Sequence, residues 1–264
     1  PADAEDDGDD AADKFRAAAV VFFSRDEKGA IDRMLVALEE RKAQATYFDM
    51  GTKGKVVVDC IVFPMGRREK KDKADPVDTA RREYIEETGD FGGLSKHLEV
   101  ADFAEEDEKD KAELDARGAV WTGRNNLAVY FRPAAMVVLF CEVPTKACSA
   151  THKAAEGGIL LEEAAKAAEA AKAKEEAEAS APTKKKRKKE ASAKPSPNYH
   201  VGRTDHLTPT WIDAKELREV LESGEKAPKL CVGERECRIF PMVASVLRMP
   251  EVVEWWRAAR AKKA

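Results

Sequence analysis

Residues 63–89 read FPMGRREKKDKADPVDTARREYIEETG, and this stretch decides which fold we expect. Pro76–Thr88 should form a helix, because Asp75 stands at the N-cap, a proline at the first helical position and Gly89 just after the last turn. An apolar, β-prone run at 55–63 precedes it and is ended by a proline and a glycine. The stretch therefore predicts a strand, a glycine loop and a capped helix, in that order.

The predicted helix carries three carboxylates on one face. Glu83, Glu86 and Glu87 occupy positions i, i+3 and i+4, so their side chains are neighbours. Like charges at this spacing repel, and the cluster is explained if a cation lies over it. Ligands that are all oxygen suit Mg²⁺ or Mn²⁺. The alternative is a solvated acidic face, balanced by Arg81 and Arg82.

The run from Arg82 to Gly89 resembles the core of the Nudix box, in which Arg-Glu, a hydrophobic residue, any residue, Glu-Glu, any residue and Gly follow in order. Upstream, the residues FPMG at 63–66 and RRE at 67–69 are similar to the strand end, glycine and loop that open the same motif. The resemblance covers most of the chain outside an N-terminal tail and a long insertion. It implies an α/β (α+β) fold, a Nudix-like α/β/α sandwich with a mixed sheet.

The resemblance also implies an activity. Nudix hydrolases are metal-dependent pyrophosphohydrolases, so the expected reaction is cleavage of a diphosphate linkage in a nucleoside diphosphate joined to another group. Glu86 and Glu87 would be the chief ligands of Mg²⁺ or Mn²⁺, with Glu83 a further ligand or the general base. The backbone carbonyl of Gly66 would also reach a metal, and Arg82 would orient the glutamates.

The chain departs from the family pattern in the loop before the helix. The box normally has a glutamate eight residues before its arginine, and Ala74 stands there; counted forward from Gly66, the place holds Asp72. This implies reduced or altered metal binding, and it keeps open a second interpretation, a non-catalytic Nudix-fold binding or assembly module, for example for RNA. Many family members add a carboxylate from a later loop, and the candidates here are Glu105, Glu106, Glu108, Glu142 and Asp205.

Basic residues crowd the same loop, namely Arg67, Arg68, Lys70 and Lys71. One interpretation is a rim that attracts highly phosphorylated substrates, such as dinucleoside polyphosphates or diphosphoinositol polyphosphates. The other is a solvated loop whose charge balances nearby acids. The sequence does not choose between them.

Composition divides the chain into four parts. We expect an acidic tail at 1–14, a first part of the Nudix domain at 15–143 containing the box at 66–89, an Ala/Glu/Lys-rich, low-complexity insertion at 144–197, and a final part at 198–264. The insertion has few large apolar residues and should contribute little to the core. Strands are expected at 15–24, 33–40, 98–103, 119–131, 135–143 and 210–212, and helices at 213–221 and 240–262 with a break at Pro250.

The remaining features concern location and partners. The run KKKRKK at 184–189 fits a nuclear-localisation signal or a contact with RNA, although a soluble linker is the interpretation that we favour. No apolar run is long enough for a transmembrane helix, and the start is acidic where a signal peptide would be basic and apolar. Five cysteines without a C-x-x-C pair are typical of free thiols in a reducing compartment. We therefore expect an intracellular protein, cytoplasmic or nuclear, without a membrane partner.

Overall fold

A computed structural model describes residues 15–72, 75–99, 101, 120–122, 126–149, 151 and 207–257. Within them the strands form one mixed sheet. Their bounds are β1 Ala17–Arg25, β2 Ile31–Gln44, β3 Lys55–Val62, β4 Met65–Arg67, β5 Val120–Thr122, β6 Leu127–Phe131, β7 Met136–Glu142, β8 Thr208–Asp213, β9 Lys229–Val232 and β10 Arg235–Ile239.

Helices connect and cover these strands. They are α1 Pro76–Thr88, α2 Ser95–Glu99, α3 Ala214–Glu222, α4 Pro241–Leu247 and α5 Pro250–Arg257. Short 3₁₀ turns occur at Ala45–Phe48, Lys70–Asp72, Phe91–Gly93 and Arg132–Ala134. No helix in the described ranges has the length and apolar character needed to cross a bilayer.

The sheet has the order β5-β6-β7-β1-β2-β3-β10-β9, with β4 paired to β1 and β8 paired to β2. The pairs β1–β7 and β3–β10 are parallel, and the other pairs are antiparallel. Strand β1 is central because it pairs with β7 along one edge and with both β2 and β4 along the other. It therefore ties β4, which carries Gly66, to the middle of the sheet.

Side chains of β1 alternate between two cores. Ala18, Val20 and Phe22 pack in the cluster that α1 and α2 cover. Their neighbours at 19, 21 and 23 pack in the cluster that α3, α4 and α5 cover. Successive strand residues point to opposite faces, so a strand that is apolar throughout requires cover on both. The chain is thus an α/β protein with a mixed sheet between helices.

The strand expected at 98–103 is wrong at its start, and most of its remainder lies outside the described residues. The structure places a helix, Ser95–Glu99, where the sequence led us to expect a strand beginning at 98. Leu94 and Leu98 are both buried in the cluster under α1, four residues apart, which is the spacing of one helical face. The Ser95 backbone N–H also donates to the Asp90 carboxylate over 3.0 Å, which anchors the start of this turn.

The expected insertion joins the core at its start. Residues 145–149 are helical, and Cys148 and Thr151 are buried. The indole N–H of Trp211, on β8, donates to Thr151 Oγ1 over 2.8 Å. The folded part of the chain therefore continues beyond residue 144. The tail at 1–14, the rest of the insertion and the run at 184–189 lie outside the described residues, which resume at 207.

Candidate functional site

Helix α1 is held at both of its ends. The Asp75 carboxylate accepts from Val77 N over 2.8 Å, and Gly89 adopts a left-handed conformation with φ of 65°. A residue with a Cβ is strained at such an angle, which explains the glycine. Tyr84 is fully buried and its hydroxyl donates to the Phe91 carbonyl over 2.8 Å. These contacts fix the rotation of the helix about its axis, so its acidic face has a set direction.

That face lies against β4. Glu87 is buried, and its Oε2 accepts from the Met65 backbone N–H over 2.9 Å. Glu83, which is 9% exposed, rests directly on Gly66. A methyl group at position 66 would overlap the Glu83 carboxylate, so only glycine permits this approach. The structure thus brings Gly66, Glu83 and Glu87 together at the junction of strand and helix.

Arg82 links the acidic residues through its guanidinium. Its Nη1 donates to Glu83 Oε1 over 2.7 Å and to Glu86 Oε2 over 2.9 Å. Its Nη2 donates to the Arg67 carbonyl over 2.7 Å. A planar guanidinium with fixed donor directions can hold two carboxylates at one edge while its other edge binds elsewhere. The arginine therefore sets the positions of Glu83 and Glu86.

The other edge of Arg82 binds Asp72. Nε donates to Oδ1 over 2.9 Å and Nη2 to Oδ2 over 2.8 Å, a bidentate pair. Asp72 is only 3% exposed, and its Oδ2 also accepts from Glu69 N over 2.8 Å and from Thr79 Oγ1 over 3.2 Å. The hydrogen bonds from Arg82 lower the pKa of Asp72 to about 2.

The role of Asp72 was missed in the sequence. Its count from Gly66 marked it as a possible substitute for the absent family glutamate, but only as a peripheral acid near a metal. In the structure it is a buried partner of Arg82, and Ala74 lies outside the described residues. Two signals in the sequence were available: a lone aspartate among lysines in a loop, and a threonine seven residues later on the helix.

Ion pairs extend the network toward solvent. Lys71 Nζ lies 3.3 Å from Glu69 Oε2 and 3.6 Å from Glu86 Oε1, and Arg82 Nη1 lies 3.5 Å from Glu69 Oε1. With Asp72 and Glu83, four carboxylates thus share two basic side chains, which is a net charge of −2. Among these six side chains alone the carboxylates are in excess, and buried Glu87 lies on the same helix face.

The residues fit a hard divalent cation in their chemistry. All available donors are oxygens, the excess charge is negative, and the Glu86 side chain is half exposed. Within the described part of the chain, however, no three His, Cys, Asp or Glu side chains converge closely enough to enclose a metal. A cation held by Glu83 and Glu86 has to compete with Arg82 Nη1, which binds one oxygen of each.

The four basic residues of the loop have different surroundings. Arg67 and Lys70 are exposed, and the Arg68 guanidinium lies 5.0 Å from the centre of the Phe15 ring. Lys71 is instead engaged with the carboxylates of the helix. Its charge is partly neutralised there, so exposed Arg67 and Lys70 are better placed to meet an incoming anion.

Among the candidates for a further metal ligand, the structure describes Glu142, and it lies far from Gly66. Glu142 pairs with Phe23 of β1, whereas Gly66 pairs with Ala18, five residues earlier. At about 3.3 Å per residue the two positions are roughly 16 Å apart along the strand. Glu142 also forms an ion pair of 3.4 Å with Arg25. The other four candidates lie outside the described residues.

Cysteine does not contribute a reactive group to this site. All five cysteines are free, and four of them are buried. Burial raises the pKa of Cys60 and Cys141 to about 12 and that of Cys237 to about 11. These thiols are therefore neutral near pH 7 and poor nucleophiles.

Comparison with family models, curated proteins and solved structures finds no match to this chain. An assignment of function therefore rests on residues 63–89 and on the contacts they make. Those contacts are the docking of Glu83 on Gly66, the bond from Met65 N to Glu87, and the network around Arg82.

Proposed function

We propose that the chain is a metal-dependent hydrolase of the Nudix type, which cleaves a diphosphate linkage in a nucleoside diphosphate joined to another group. One observation carries the proposal: the acidic face of α1 is docked on the glycine of β4, with Glu83 against Gly66 and Glu86 turned to solvent. A purely solvated acidic helix face would not need a buried glutamate against a glycine.

In this proposal Glu83 and Glu86 hold Mg²⁺ or Mn²⁺, whereas Glu87, expected from the sequence as a chief ligand, is buried and bound to Met65 N instead. The cation supplies charge neutralisation of the diphosphate and lowers the pKa of a bound water. Arg82 keeps the two carboxylates in place, and Asp72 keeps Arg82 in place. Glu87 accepts a hydrogen bond from Met65 N, and this bond holds the helix that carries the two ligands against β4.

The basic residues of the loop would meet the substrate. Arg67 and Lys70 are exposed beside the carboxylates, and Arg68 is braced by the Phe15 ring. Cationic side chains at the rim of an acidic site attract the outer phosphates while the cation neutralises the scissile linkage. A substrate with phosphates beyond the cleaved bond, such as a dinucleoside polyphosphate or a diphosphoinositol polyphosphate, suits this arrangement.

A second candidate is a non-catalytic binding or assembly module of the same fold. The competition between Arg82 and a cation favours it, because Glu83 and Glu86 already have a positive partner. RNA is the partner that the basic run at 184–189 suggests, and a nuclear location would follow from the same run. The enzyme is favoured over this module because Glu83 is buried against Gly66 with half-exposed Glu86 beside it, an acidic arrangement that a surface for binding RNA, itself an anion, would not need.

The test is hydrolysis of a panel of diphosphate compounds by the purified full chain with Mg²⁺ or Mn²⁺. Changing Glu83→Gln or Glu86→Gln removes a charge that would hold the cation. Loss of one preorganised electrostatic contact costs on the order of a hundredfold in turnover, so we expect a loss of that size. Glu219→Gln, an exposed glutamate of α3 paired with Lys215, is the matched control and should leave turnover unchanged.

Thermal melting separates loss of chemistry from loss of fold. Glu86 is half exposed and interacts with Arg82 and Lys71 at the surface, so its neutralisation should change stability by less than about 1 kcal/mol. Turnover that survives both substitutions, or that survives chelation of all divalent metal, would exclude this mechanism. Absence of turnover on every compound, together with RNA binding by the full chain, would favour the module.

A further inference from the structure

Three segments of the chain meet at one end of the sheet. Arg16 immediately precedes β1, and its backbone N–H donates over 2.6 Å to the carbonyl of Ala135, in the turn before β7. The Arg16 carbonyl accepts from Arg68 N over 2.9 Å, and Arg68 follows β4 directly. The start of β1, the end of β4 and the start of β7 are therefore fixed side by side.

Arginine is the only charged residue type in these segments. They carry four arginines and no aspartate or glutamate, as the runs FRAA at 15–18, MGRR at 65–68 and FRPAAM at 131–136 show. Arg16, Arg67 and Arg132 are exposed, and together with Arg68 they make up what we call the arginine cluster. Only two of the four are neighbours in the sequence, so the fold is needed to bring the cluster together.

Arg16 lies on the sheet face that α1 covers. Ala18 belongs to the core under α1 and pairs with Gly66, the residue on which Glu83 rests. Alternate residues of a strand share a face. Arg16 and Arg68 therefore form the next pair on that face, about 7 Å along the strands. Two arginines thus stand one row away from the contact between the acidic helix and β4.

Arg67 connects the cluster to the acidic network. Its carbonyl accepts from Arg82 Nη2 over 2.7 Å. Nη1 of the same guanidinium donates to Glu83 and to Glu86, the residues proposed to hold the cation. A substrate whose diphosphate lies over these carboxylates would therefore have the arginine cluster beside it.

We propose that the arginine cluster binds substrate phosphates other than the scissile diphosphate, with Arg16 as a phosphate-binding residue; this rests on the proposed hydrolase activity. Guanidinium groups bind phosphate through paired, charge-assisted hydrogen bonds. Arg16 and Arg68 stand opposite each other on neighbouring strands, where like charges repel, and a phosphate that contacts both offsets this repulsion. The substrate class is therefore polyphosphorylated, because a diphosphate joined only to a neutral sugar has no further phosphate for the cluster.

Binding of inorganic tripolyphosphate to the full chain, with divalent metal chelated, tests the cluster without hydrolysis. Arg16→Gln should weaken this binding about tenfold, because a charge-assisted contact is lost. Arg16→Lys keeps the charge without the paired donors, so it should recover part of the affinity. Arg257→Gln, which changes an exposed arginine of α5, is the matched control and should have no effect.

Thermal melts separate binding from folding. Without ligand, Arg16→Gln should melt at or slightly above the temperature of the original chain, because it removes a like-charge contact. Tripolyphosphate should raise the Tm of the original chain more than that of the variant. An original chain that does not bind tripolyphosphate, or an affinity that Arg16→Gln leaves unchanged, would overturn the proposal. Either result would be expected if the acidic residues of 1–14 bound the cluster instead.

Steady-state hydrolysis identifies the source of the phosphates. Arg16→Gln should raise KM about tenfold, with little change in kcat, for whichever of a dinucleoside polyphosphate and a diphosphoinositol polyphosphate is turned over. The KM for a nucleoside diphosphate sugar should not change, and an equal rise there would contradict the assignment to further phosphates. A chain that binds tripolyphosphate through Arg16 but hydrolyses no compound would refute the hydrolase and retain the anion site.

Discussion

Replacing Asp72 by asparagine tests the central interaction of the site. Oδ2 of Asp72 accepts three hydrogen bonds, from Arg82 Nη2, Glu69 N and Thr79 Oγ1, whereas Oδ1 accepts one, from Arg82 Nε. Asparagine therefore loses least when its amide nitrogen replaces Oδ1 and its oxygen keeps the other three bonds. The nitrogen then faces the Nε–H of Arg82, donor against donor.

The cost follows from these contacts. One charge-assisted hydrogen bond contributes about 1.5–3 kcal/mol, and the guanidinium loses its buried counter-charge. Arg82 keeps Glu83, Glu86 and the Arg67 carbonyl, so the penalty is smaller than for a fully isolated buried charge. We expect Asp72→Asn to lower the free energy of unfolding by about 2–3 kcal/mol. For a folded region of this size that lowers Tm by roughly 4–12 °C.

The effect should depend on pH in a set direction. The folded-state pKa of Asp72 lies near 2, below its ordinary value of 3.8, so its contribution to stability is present above about pH 4. As pH falls from 4 to 2, the carboxylate becomes protonated in the folded state as well, and the contribution is lost. The difference in unfolding free energy between the original chain and Asp72→Asn should therefore be constant from pH 7 to 5 and shrink below pH 4.

Urea unfolding at pH 7, 5, 3 and 2.5 measures this difference directly. Asp32→Asn is the control, because Asp32 forms only an exposed ion pair with Arg33 at 3.9 Å, and it should cost less than about 0.5 kcal/mol. If the unfolding free energy of Asp72→Asn at pH 7 lies within about 0.5 kcal/mol of that of the original chain, the reasoning is refuted, because an exposed ion pair contributes that much. A gap that stays constant down to pH 2.5 would refute the assignment of the low pKa.

Two further predictions concern packing. Gly66→Ala should displace the Glu83 carboxylate, which would destabilise the fold by about 1–3 kcal/mol and reduce any metal-dependent turnover. A thermal melt and an activity assay that both match the original chain would contradict this contact. Thr151→Val keeps the shape of the side chain but leaves the buried Trp211 N–H without its acceptor. It should cost about 1–3 kcal/mol in urea unfolding, and a neutral result would show that residue 151 does not belong to the core.

The capped helix was predictable because its signals are local. Asp75, Pro76 and Gly89 act within a few residues of the ends they define, and α1 begins and ends where they indicate. The strands β1, β2, β3, β6 and β7 were also expected, since long apolar runs are buried whatever their neighbours are. The start of α3 was also predictable from a local signal, because the Asp213 carboxylate accepts from Lys215 N and Glu216 N at the helix N-terminus.

Other elements depended on contacts that a local pattern does not contain. Strands β9 and β10 are short and carry lysine, arginine and glutamate, so their apolar signal is weak; they exist because β10 pairs with β3. The run from 98 contains β-prone residues, but burial of Leu94 together with Leu98 favours a helical turn. At the site, the acidic face was predictable from spacing, whereas the bond between Asp72 and Arg82 spans a loop and was not.

The way Arg82 is bound bears both on stability and on the metal binding that we propose. Its Nε and Nη2 are fixed by buried Asp72 and by the Arg67 carbonyl, so the guanidinium keeps its place whether or not Glu83 and Glu86 stay bound to Nη1. Without metal, Nη1 offsets the repulsion between those two carboxylates. In the proposed hydrolase, Glu83 and Glu86 would turn from Nη1 to a bound cation, while Asp72 would still neutralise the arginine. Folding of α1 onto β4 should therefore be independent of divalent metal, and only turnover should require it.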